Sequence, residues 1–343
     1  MKHTLQFFLL ILTLTLVSLS TSAFGDSPRQ RILMDAGWRF HRGEIDGVAA
    51  DTSETNPADK PPATAALRYD DSTWSAVHLP HDYVIEEPFD PKGDTGHGSI
   101  IPTTGWYRKV FKLPEGSKGK SLWIDFDGVY RDSIVWLNGK RLGQHASGYT
   151  GFRYDISEVA DFGGDNVLTV HADPTHFEGW WYEGGGIYRH VWLNIAERVH
   201  AAPWGTYVTA QLPEPSPLVP ATSADLTVET VIINASAEEV PVTLVSEVVD
   251  RDAKTVASVQ SLQKIAPGKS ETLVQNTVVA QPRLWSIKTP YLYSLVTTVK
   301  QAGRVLDVTR TSFGIRTIRF DLQKGFFLNG EHVKIQGTCN HQD

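Results

Sequence analysis

Short runs of alternating apolar and polar residues, separated by turn residues, fill most of the chain between residues 35 and 318. In the run Ser121–Phe126, for example, Leu122, Ile124 and Phe126 fall on one face. An apolar period of two residues is typical of a half-buried β-strand. Between residues 35 and 196 no helical period survives a dozen residues. The pattern therefore restricts the chain to an all-β fold.

Turn signals divide this pattern into two blocks. Residues 26–201 carry many short strands, and this number over about 170 residues is typical of a jelly-roll sandwich. An Asn138-Gly139 pair within the block predicts a tight hairpin, because both central positions of such a turn need positive φ. Four prolines between Gln211 and Ala224 mark an exposed loop in the second block, residues 202–318. The length and short strands of that block predict an immunoglobulin-like sandwich.

The composition favours a neutral ligand. The length of 343 residues with 41% hydrophobic content supports two or three cored domains. The net charge of −7 and the pI near 5.9 argue against nucleic acid or an anionic membrane surface as partner. Ten Trp and eleven Tyr are many for this length, and aromatic faces can bury the C–H faces of sugar rings. Most of these rings are nevertheless expected in the sandwich cores.

The first 25 residues have the pattern of a secretory signal peptide. Lys2 gives a positive start, residues 5–19 are mainly apolar, and the small residues Ala23 and Gly25 precede Asp26. The apolar stretch is shorter than the about 20 residues of a membrane span. A retained anchor is the alternative. We therefore expect a secreted or periplasmic protein with no membrane contact after cleavage.

The last residues combine a hairpin pattern with a polar strand end. An Asn-Gly pair at residues 329–330 predicts a second tight hairpin. The run that follows leads through Cys339 to Asn340, His341 and Asp343. Barrel enzymes present catalytic groups at the ends of their strands in this way. Cys339 is the single cysteine, so no internal disulfide can form, and its place in a predicted strand favours a buried apolar role.

Seven segments, in order, resemble glycoside hydrolase family 2. They are residues 79–83 (LPHDY), 105–108 (GWYR), 136–139 (WLNG), 148–152 (GYTGF), 180–193 (WWYEGGGIYRHVWL), 282–286 (PRLWS) and 326–343. The resemblance implies a sugar-binding jelly roll over residues 26–201 and an immunoglobulin-like β-sandwich over residues 202–318. Residues 319–343 would then hold the first strand of a truncated (β/α)8 barrel, the catalytic TIM barrel. Within the family, the likeness is to secreted bacterial β-galactosidases.

The resemblance also implies where the chemistry lies. Family members use two glutamates on barrel strands, one as acid/base and one as nucleophile, in a retaining double displacement. A barrel needs about 250 residues, so both glutamates are expected beyond Asp343. No residue of this chain is therefore assigned as acid/base or nucleophile, and the chain alone is expected to be inactive.

By this resemblance, the chain supplies residues that position the substrate. Asp82 corresponds to the family's aspartate that hydrogen-bonds sugar hydroxyls. His341 corresponds to the histidine that contacts the sugar and stabilises the transition state, with Asp343 beside it. Asn340 precedes His341 directly, without the residue that some members place between the two. The alternatives are a turn residue that caps its own loop for Asp82 and a hydrogen-bonded core histidine for His341.

A second candidate group lies in the segment 180–193. Trp180, Trp181, Tyr182 and Glu183 are expected to form a substrate-binding wall near the mouth of the site, with core packing as the alternative. The three glycines that follow lack the GxGxxG spacing of a phosphate loop. They are expected to let the backbone pass close to a neighbouring domain.

Three functions fit the sequence. The first is an exo-acting retaining glycoside hydrolase, a β-galactosidase that cuts terminal β-D-galactosides, with β-glucuronidase or β-mannosidase activity as alternatives in the same family. The second is a non-catalytic carbohydrate-binding β-sandwich protein, and the third is a surface adhesin. The polar strand end at residues 340–343 favours the first, because a finished lectin or adhesin would end near Arg319.

No cofactor is predicted from the residues, and the expected partner is a carbohydrate substrate. The resemblance leaves room for a structural or substrate-linked Mg or Na ion and for a homo-oligomer. Asp125 and Asp127 alternate on one strand face and could touch a cation, although a solvated face is the commoner arrangement. Arg108 and Arg189 are expected to form structural ion pairs.

Overall fold

Strands dominate the part of the chain that can be described. The computed structural model covers residues 28–46, 61–179, 181–213 and 221–339. These ranges contain twenty strands and three short 3-10 helices, which confirms the all-β prediction. Within the same ranges, no helix has the length and apolar character needed to cross a membrane. The predicted signal peptide, Trp180, Asn340, His341 and Asp343 lie outside the described residues.

The first sandwich has ten strands in two antiparallel sheets. The strands are β1 Gln30–Leu33, β2 Trp38–Arg42, β3 Ser75–Val77, β4 Gly105–Phe111, β5 Ser121–Phe126, β6 Ser133–Leu137, β7 Lys140–His145, β8 Phe152–Asp155, β9 Asn166–Ala172 and β10 Val191–Ala196. The short helices are Ala63–Ala65, Val84–Glu86 and Thr95–His97. One sheet has the order β1-β10-β5-β8, and the other has the order β3-β2-β4-β9-β6-β7.

The core of this sandwich lies between the two sheets. Leu122, Ile124 and Phe126 of β5 belong to it with exposed fractions of 0%, 0% and 1%, as their alternation predicts. The predicted hairpin between β6 and β7 is also confirmed, with φ of 52° at Asn138 and 81° at Gly139.

A second apolar layer covers the outer face of the six-stranded sheet. Trp106 and Trp136 are buried there, with ring centroids 5.8 Å apart. Ala65 and Trp74 pack against them from the connection between β2 and β3. Residues 61–74 of this connection therefore contribute to the folded core, although the regular structure in this described part is one turn of 3-10 helix.

Arg108 on β4 binds this connection to the sheet through its guanidinium group. Its guanidinium donates to the carbonyls of Thr64 at 2.6 Å and Ala66 at 2.8 Å, and it pairs with Asp71 at 2.5 Å. The ion pair predicted for Arg108 is thus confirmed. Arg189 lies instead 5.4 Å from the Tyr188 ring centroid, in a cation–π contact.

The second sandwich has seven strands in two antiparallel sheets. They are β11 Val199–Gln211, β12 Ser223–Asn234, β13 Val240–Val249, β14 Thr255–Ile265, β15 Lys269–Ala280, β16 Tyr293–Gln301 and β17 Arg304–Phe313. The sheets have the orders β11-β12-β15 and β14-β13-β16-β17. Alternate residues of β13, including Val242, Leu244 and Val248, are fully buried between them. This arrangement confirms the immunoglobulin-like prediction.

A buried ion pair joins the two sandwiches. Arg29, next to β1, donates to both carboxylate oxygens of Asp307 on β17, at 2.9 and 2.6 Å. The backbone N–H of Ala201 donates to the same carboxylate at 2.9 Å. The Arg29 guanidinium also lies 5.4 Å from the Trp123 ring centroid, and the His200 ring stacks on Trp123 at 5.6 Å. The junction therefore combines one strand from each sheet of the second sandwich with strand β5 and Arg29 of the first.

Three short strands follow the second sandwich: β18 Ile318–Asp321, β19 Gly325–Leu328 and β20 Glu331–Val333. They form an antiparallel sheet in that order. The hairpin predicted between β19 and β20 is confirmed, with φ of 51° at Asn329 and 81° at Gly330.

The prediction for Cys339 is wrong. Residues 334–339 contain no strand, and Cys339 is exposed. A barrel strand needs neighbouring strands that take up its backbone hydrogen bonds and cover its side chains. No strand within the described residues pairs with residues 334–339.

Candidate functional site

The segment 79–83 and the glycine-rich segment 184–187 run side by side at one edge of the first sandwich. The backbone N–H of His81 donates to the Ile187 carbonyl at 2.8 Å, and that of Tyr83 donates to the Gly185 carbonyl at 3.1 Å. These two bonds place the side chain of Asp82 against the glycines. The site predicted from two distant segments is therefore assembled by backbone pairing.

The Asp82 carboxylate is held by three hydrogen bonds. Its Oδ2 accepts from the Tyr182 hydroxyl at 2.9 Å, and its Oδ1 accepts from the backbone N–H of Gly185 at 2.9 Å and of Val84 at 3.1 Å. The bond to Val84, two residues on, is the loop cap that was the alternative role for Asp82. An ionised carboxylate has about four acceptor positions. At least one position of Asp82 therefore remains for a ligand.

Gly184 is required by the position of Asp82. Its φ is +78°, and an added Cβ would lie 2.6 Å from the Asp82 Oδ2 atom. A Cβ on Gly185 would meet Val84 at 2.5 Å, and one on Gly186 would meet the Tyr107 hydroxyl at 2.2 Å. The glycines therefore allow a close approach of the backbone, as predicted, but the nearest groups belong to the same sandwich and not to a neighbouring domain.

Buried aromatic rings back the site. His81 Nδ1 lies 2.8 Å from the Tyr107 hydroxyl, and the rings of His81 and Tyr107 pack on Phe40 with centroids 4.8 Å away in both cases. Burial lowers the pKa of His81, so the neutral imidazole is favoured. Burial, followed by the negative charge of Asp82, raises the pKa of Tyr182. Tyr182 therefore stays protonated and can keep donating to Asp82.

Glu183 shapes the loop that carries the wall residues. Its Oε1 accepts from the backbone N–H groups of Glu178 at 2.7 Å and Gly179 at 2.8 Å. Next to it, the pKa of the buried Tyr130 is raised, first by burial and then by the Glu183 carboxylate and the Tyr149 hydroxyl. One oxygen of Glu183 is thus committed to the loop itself.

Trp181 lies at the rim of this loop with 46% of its surface exposed. Its indole N–H donates to the Tyr149 hydroxyl at 3.1 Å. Its carbonyl oxygen lies 3.1 Å from Nδ1 of His97, whose ring stacks on Phe177 at 3.7 Å. Both the backbone and the side chain of Trp181 are therefore held in place.

The structure brings together four of the predicted site residues: Asp82, Trp181, Tyr182 and Glu183. Asn340, His341 and Asp343 lie outside the described residues, so their place relative to Asp82 stays a prediction. Tyr130 and Tyr149 were given no role from the sequence. The glycine at position 148 indicates a close contact with Tyr130, because an added Cβ there would lie 2.0 Å from the Tyr130 ring.

The two carboxylates considered as cation ligands have protein partners. Asp125 lies 3.1 Å from the Arg153 guanidinium and accepts from the Asn194 side chain at 3.1 Å. Asp127 accepts from the Trp192 indole at 2.8 Å. Across the described ranges, no cluster of three or more His, Cys, Asp or Glu side chains is placed to bind a metal ion.

Two family models match the chain over separate ranges. The model described as "Glycosyl hydrolase 2 galactose-binding domain-like" matches residues 70–183, and the model described as "Glycosyl hydrolases family 2" matches residues 213–316. The chain belongs to glycosyl hydrolase family 2. The first family-2 match includes Asp82, Tyr182 and Glu183, so most of the candidate site lies within the galactose-binding-like segment.

Curated family-2 relatives differ in the sugar that they act on. The chain is 39% identical over 321 residues to a β-galactosidase of Bacteroides ovatus and 33% identical over 298 residues to a β-glucuronidase of Formosa agariphila. These alignments cover 92% and 79% of this chain, but 35% and 30% of those proteins. The chain therefore spans about a third of the length of the curated relatives that it matches.

Solved family-2 structures share the fold. A family-2 member from Bacteroides cellulosilyticus matches with a TM-score of 0.81 at 33% identity, over 91% of this chain and 39% of that one. A β-glucuronidase of Bacteroides uniformis matches with a TM-score of 0.76 at 26% identity, over 92% of this chain and 36% of that one. These matches agree with a jelly roll followed by an immunoglobulin-like sandwich, whereas a barrel strand after residue 319 remains a prediction.

Proposed function

We propose that this chain is the substrate-positioning part of an exo-acting retaining β-galactosidase. The observation that carries the proposal is the Asp82 carboxylate, held by Tyr182, Gly185 and Val84 at the edge of the galactose-binding-like sandwich. The identity of 39% to a β-galactosidase supports the same choice of sugar. The substrate would be a terminal β-D-galactoside.

The chemistry of the Asp82 site suits a sugar hydroxyl. Three donors fix the carboxylate before a ligand arrives, so little ordering cost remains at binding. A hydrogen bond to a charged group contributes roughly 1.5–3 kcal/mol. A sugar O–H that donates to Asp82 would therefore be oriented and bound by one short, directional contact.

A neutral sugar is favoured over a uronic acid. Among the described residues, no Lys or Arg side chain forms an ion pair with Asp82. A sugar carboxylate brought close to Asp82 would meet an uncompensated like charge, which is unfavourable in a site partly removed from water. β-Glucuronidase activity is the second candidate, because a relative that is 33% identical carries that name.

We further propose that the acid/base and nucleophile glutamates lie outside residues 1–343. This proposal is supported by the share of the β-galactosidase relative that the chain covers, 35% of its length. Glu183 binds loop amides through one oxygen and Asp82 is held by three donors, which suits both carboxylates to positioning roles. His341 and Asp343 would complete the sugar site from the barrel side. A secreted or periplasmic location remains part of this proposal.

The test uses the protein expressed from its native reading frame. We expect hydrolysis of an aryl β-D-galactoside in preference to the matching β-D-glucuronide. Asp82→Ala should lower kcat/KM by about 10- to 150-fold, because it removes a hydrogen bond to a charged group. Asp225→Ala, at an exposed position of the second sandwich, is the matched control and should leave kcat/KM unchanged.

Two results would contradict this function. A preference for the glucuronide would assign the second candidate, and wild-type kinetics of Asp82→Ala would remove Asp82 from the sugar site. The 343-residue chain by itself should show no turnover above background. Turnover by that chain would instead place a catalytic pair within residues 1–343.

A further inference from the structure

Trp181 carries an indole ring that is both exposed and firmly anchored. Its exposed fraction is 46%, yet its N–H donates to the Tyr149 hydroxyl at 3.1 Å. The Tyr149 ring in turn packs edge-on against the buried Tyr130 ring, with centroids 5.5 Å apart. The indole is therefore fixed by contacts that lead into the core of the sandwich.

One face of the ring rests on the backbone of Gly179. A Cβ added to Gly179 would lie 2.2 Å from Cη2, 2.3 Å from Cζ3 and 2.4 Å from Cζ2 of the Trp181 ring. These three distances are nearly equal, so the added atom would lie over the face of the six-membered ring and not beyond its edge. Gly179 is itself held, because its N–H donates to Glu183 at 2.8 Å. The exposed surface of Trp181 is accordingly concentrated on the opposite face.

Trp204 is an exposed tryptophan whose ring lacks this support. It is 93% exposed on β11 and lies at the register shift between Ala201 and Thr206. Within the described residues its indole N–H donates no hydrogen bond, in contrast to that of Trp181. The anchoring of Trp181 therefore distinguishes it from the more exposed Trp204.

The position of Trp181 relates it directly to the sugar site. It precedes Tyr182, whose hydroxyl binds the Asp82 carboxylate at 2.9 Å. An aromatic face buries the C–H face of a pyranose ring, and a ring fixed in advance loses little entropy on binding. A sugar held at Asp82 would thus have a rigid apolar platform nearby, on the loop that carries Tyr182.

We propose that the free face of Trp181 binds the second sugar unit of the substrate, the pyranose linked to the sugar that Asp82 holds. This inference rests on the proposed function and adds a preference for galactosyl disaccharides over galactosides with a small aglycone. Gly179 supports the covered face of the Trp181 ring, and the Tyr149 hydroxyl fixes the orientation of that ring.

The test compares two substrates of the protein expressed from its native reading frame. Trp181→Ala should raise KM for a galactosyl disaccharide by about 2- to 10-fold, the effect of losing one aromatic stacking contact. The rise in KM for methyl β-D-galactoside should be clearly smaller than the rise for the disaccharide, because methyl β-D-galactoside lacks a second ring. Trp204→Ala is the matched control and should change neither substrate.

A second variant changes Gly179, against which the Trp181 ring packs. Gly179→Ala places a methyl group where the indole lies, so it should impair the disaccharide as Trp181→Ala does while retaining the tryptophan. Trp181→Phe keeps a smaller aromatic face and should restore part of the lost affinity. The thermal midpoint of each variant shows whether the fold is intact.

The outcomes separate this inference from the proposed function. Equal losses on both substrates would overturn the platform, because Trp181 would then act on the Asp82 sugar alone. Unchanged kinetics for both would also overturn it, because the ring would be covered by another part of the protein. Failure of the proposed function would show instead in the wild type, as absent hydrolysis of methyl β-D-galactoside. In that case, tryptophan fluorescence of wild type and Trp181→Ala with a sulfur-linked galactosyl disaccharide still tests the contact, and an identical response of the two would overturn it.

Discussion

Asp82 and Gly184 lie so close together that the position of the Asp82 side chain requires a glycine at residue 184. The carboxylate fills the space that a Cβ of residue 184 would occupy, 2.6 Å from Oδ2. The Tyr182 hydroxyl and the Gly185 N–H bind the same carboxylate from the same loop. The geometry of the proposed sugar site therefore depends on a residue that has no side chain.

Replacement of this glycine separates backbone strain from displacement of the carboxylate. Gly184→Ala and Gly268→Ala both place a Cβ at positive φ, +78° and +65°, which costs about 1–2 kcal/mol. Only Gly184→Ala also collides with Asp82, because nothing lies within 4 Å of Gly268. We expect both variants to lower the thermal midpoint, Gly184→Ala further. Only Gly184→Ala should also lower kcat/KM for an aryl β-D-galactoside, by about tenfold or more.

Equal stability and equal kinetics of the two alanine variants would contradict this account. It would mean that Asp82 can move aside without loss of its function. Tyr182→Phe provides a milder comparison, since it removes one of the three hydrogen bonds to the carboxylate and adds no atom.

Alternation and turn chemistry were sufficient to predict the all-β fold, the strand β5 and both Asn-Gly hairpins. The period of two in β5 and the Asn-Gly pairs at residues 138 and 329 act locally, so they can be recognised without knowledge of distant partners. The predicted burial of Cys339 was wrong, because burial of a barrel strand depends on neighbouring strands and not on the pattern of the strand itself.

The contacts of the candidate site were only partly predictable for the same reason. The sequence marked Asp82 and the glycine-rich segment, but the bond from Tyr182 to Asp82 joins residues 100 positions apart. Tyr130 and Tyr149 gave no local signal of their own, and only the glycine at position 148 indicated a close contact. Long-range side-chain contacts of this kind require the fold.

The buried Arg108 binds the described part of the connection between β2 and β3 to the sheet. Its guanidinium satisfies Asp71 and two carbonyls of the connection, and its side chain is 1% exposed. Arg108→Met would leave the Asp71 carboxylate without its ion-pair partner. The carbonyls of Thr64 and Ala66 would each lose one donor and keep one, the Thr169 hydroxyl and the Tyr69 N–H. Removal of one partner of a buried ion pair costs about 3–5 kcal/mol. Because the Asp71 side chain is 23% exposed, we expect a loss toward the lower end of this range in the free energy of unfolding measured with urea.

Lys112→Met is the matched control for Arg108→Met. Lys112 is 76% exposed and lies 3.9 Å from Asp165, and an exposed pair of this kind contributes at most about 1 kcal/mol. Similar losses for the two variants would show that Arg108 does not fasten the connection.

We expect His200 to make the junction between the two sandwiches sensitive to acid. Its ring is buried against Trp123, and Nδ1 lies 2.7 Å from the Glu197 carbonyl. Burial and then the positive charge of Arg29 lower the pKa of His200 from its usual value of 6.5. Below pH 6.5 the unfolded chain therefore takes up a proton more readily than the folded chain does.

This difference sets the direction of the pH dependence. The stability contributed by neutral His200 is fully present above pH 6.5 and is lost as the pH falls from there toward the lowered pKa of the folded state. The thermal midpoint should thus fall between pH 7.5 and pH 5.5, and His200→Gln should show a smaller fall. Exposed His176→Gln serves as the control. An unchanged slope in His200→Gln would exclude His200 as the source.

The ion pair between Arg29 and Asp307 has a consequence for the order in which the chain is completed during synthesis. The two residues are 278 positions apart, and β1, next to Arg29, pairs with β10. The ribosome makes β1 before the other strands, yet β1 gains its strand partner only after residue 196 and its ion pair only after residue 307. The first of the described strands to be translated is therefore among the last to be fixed, and until then it remains accessible to chaperones and proteases.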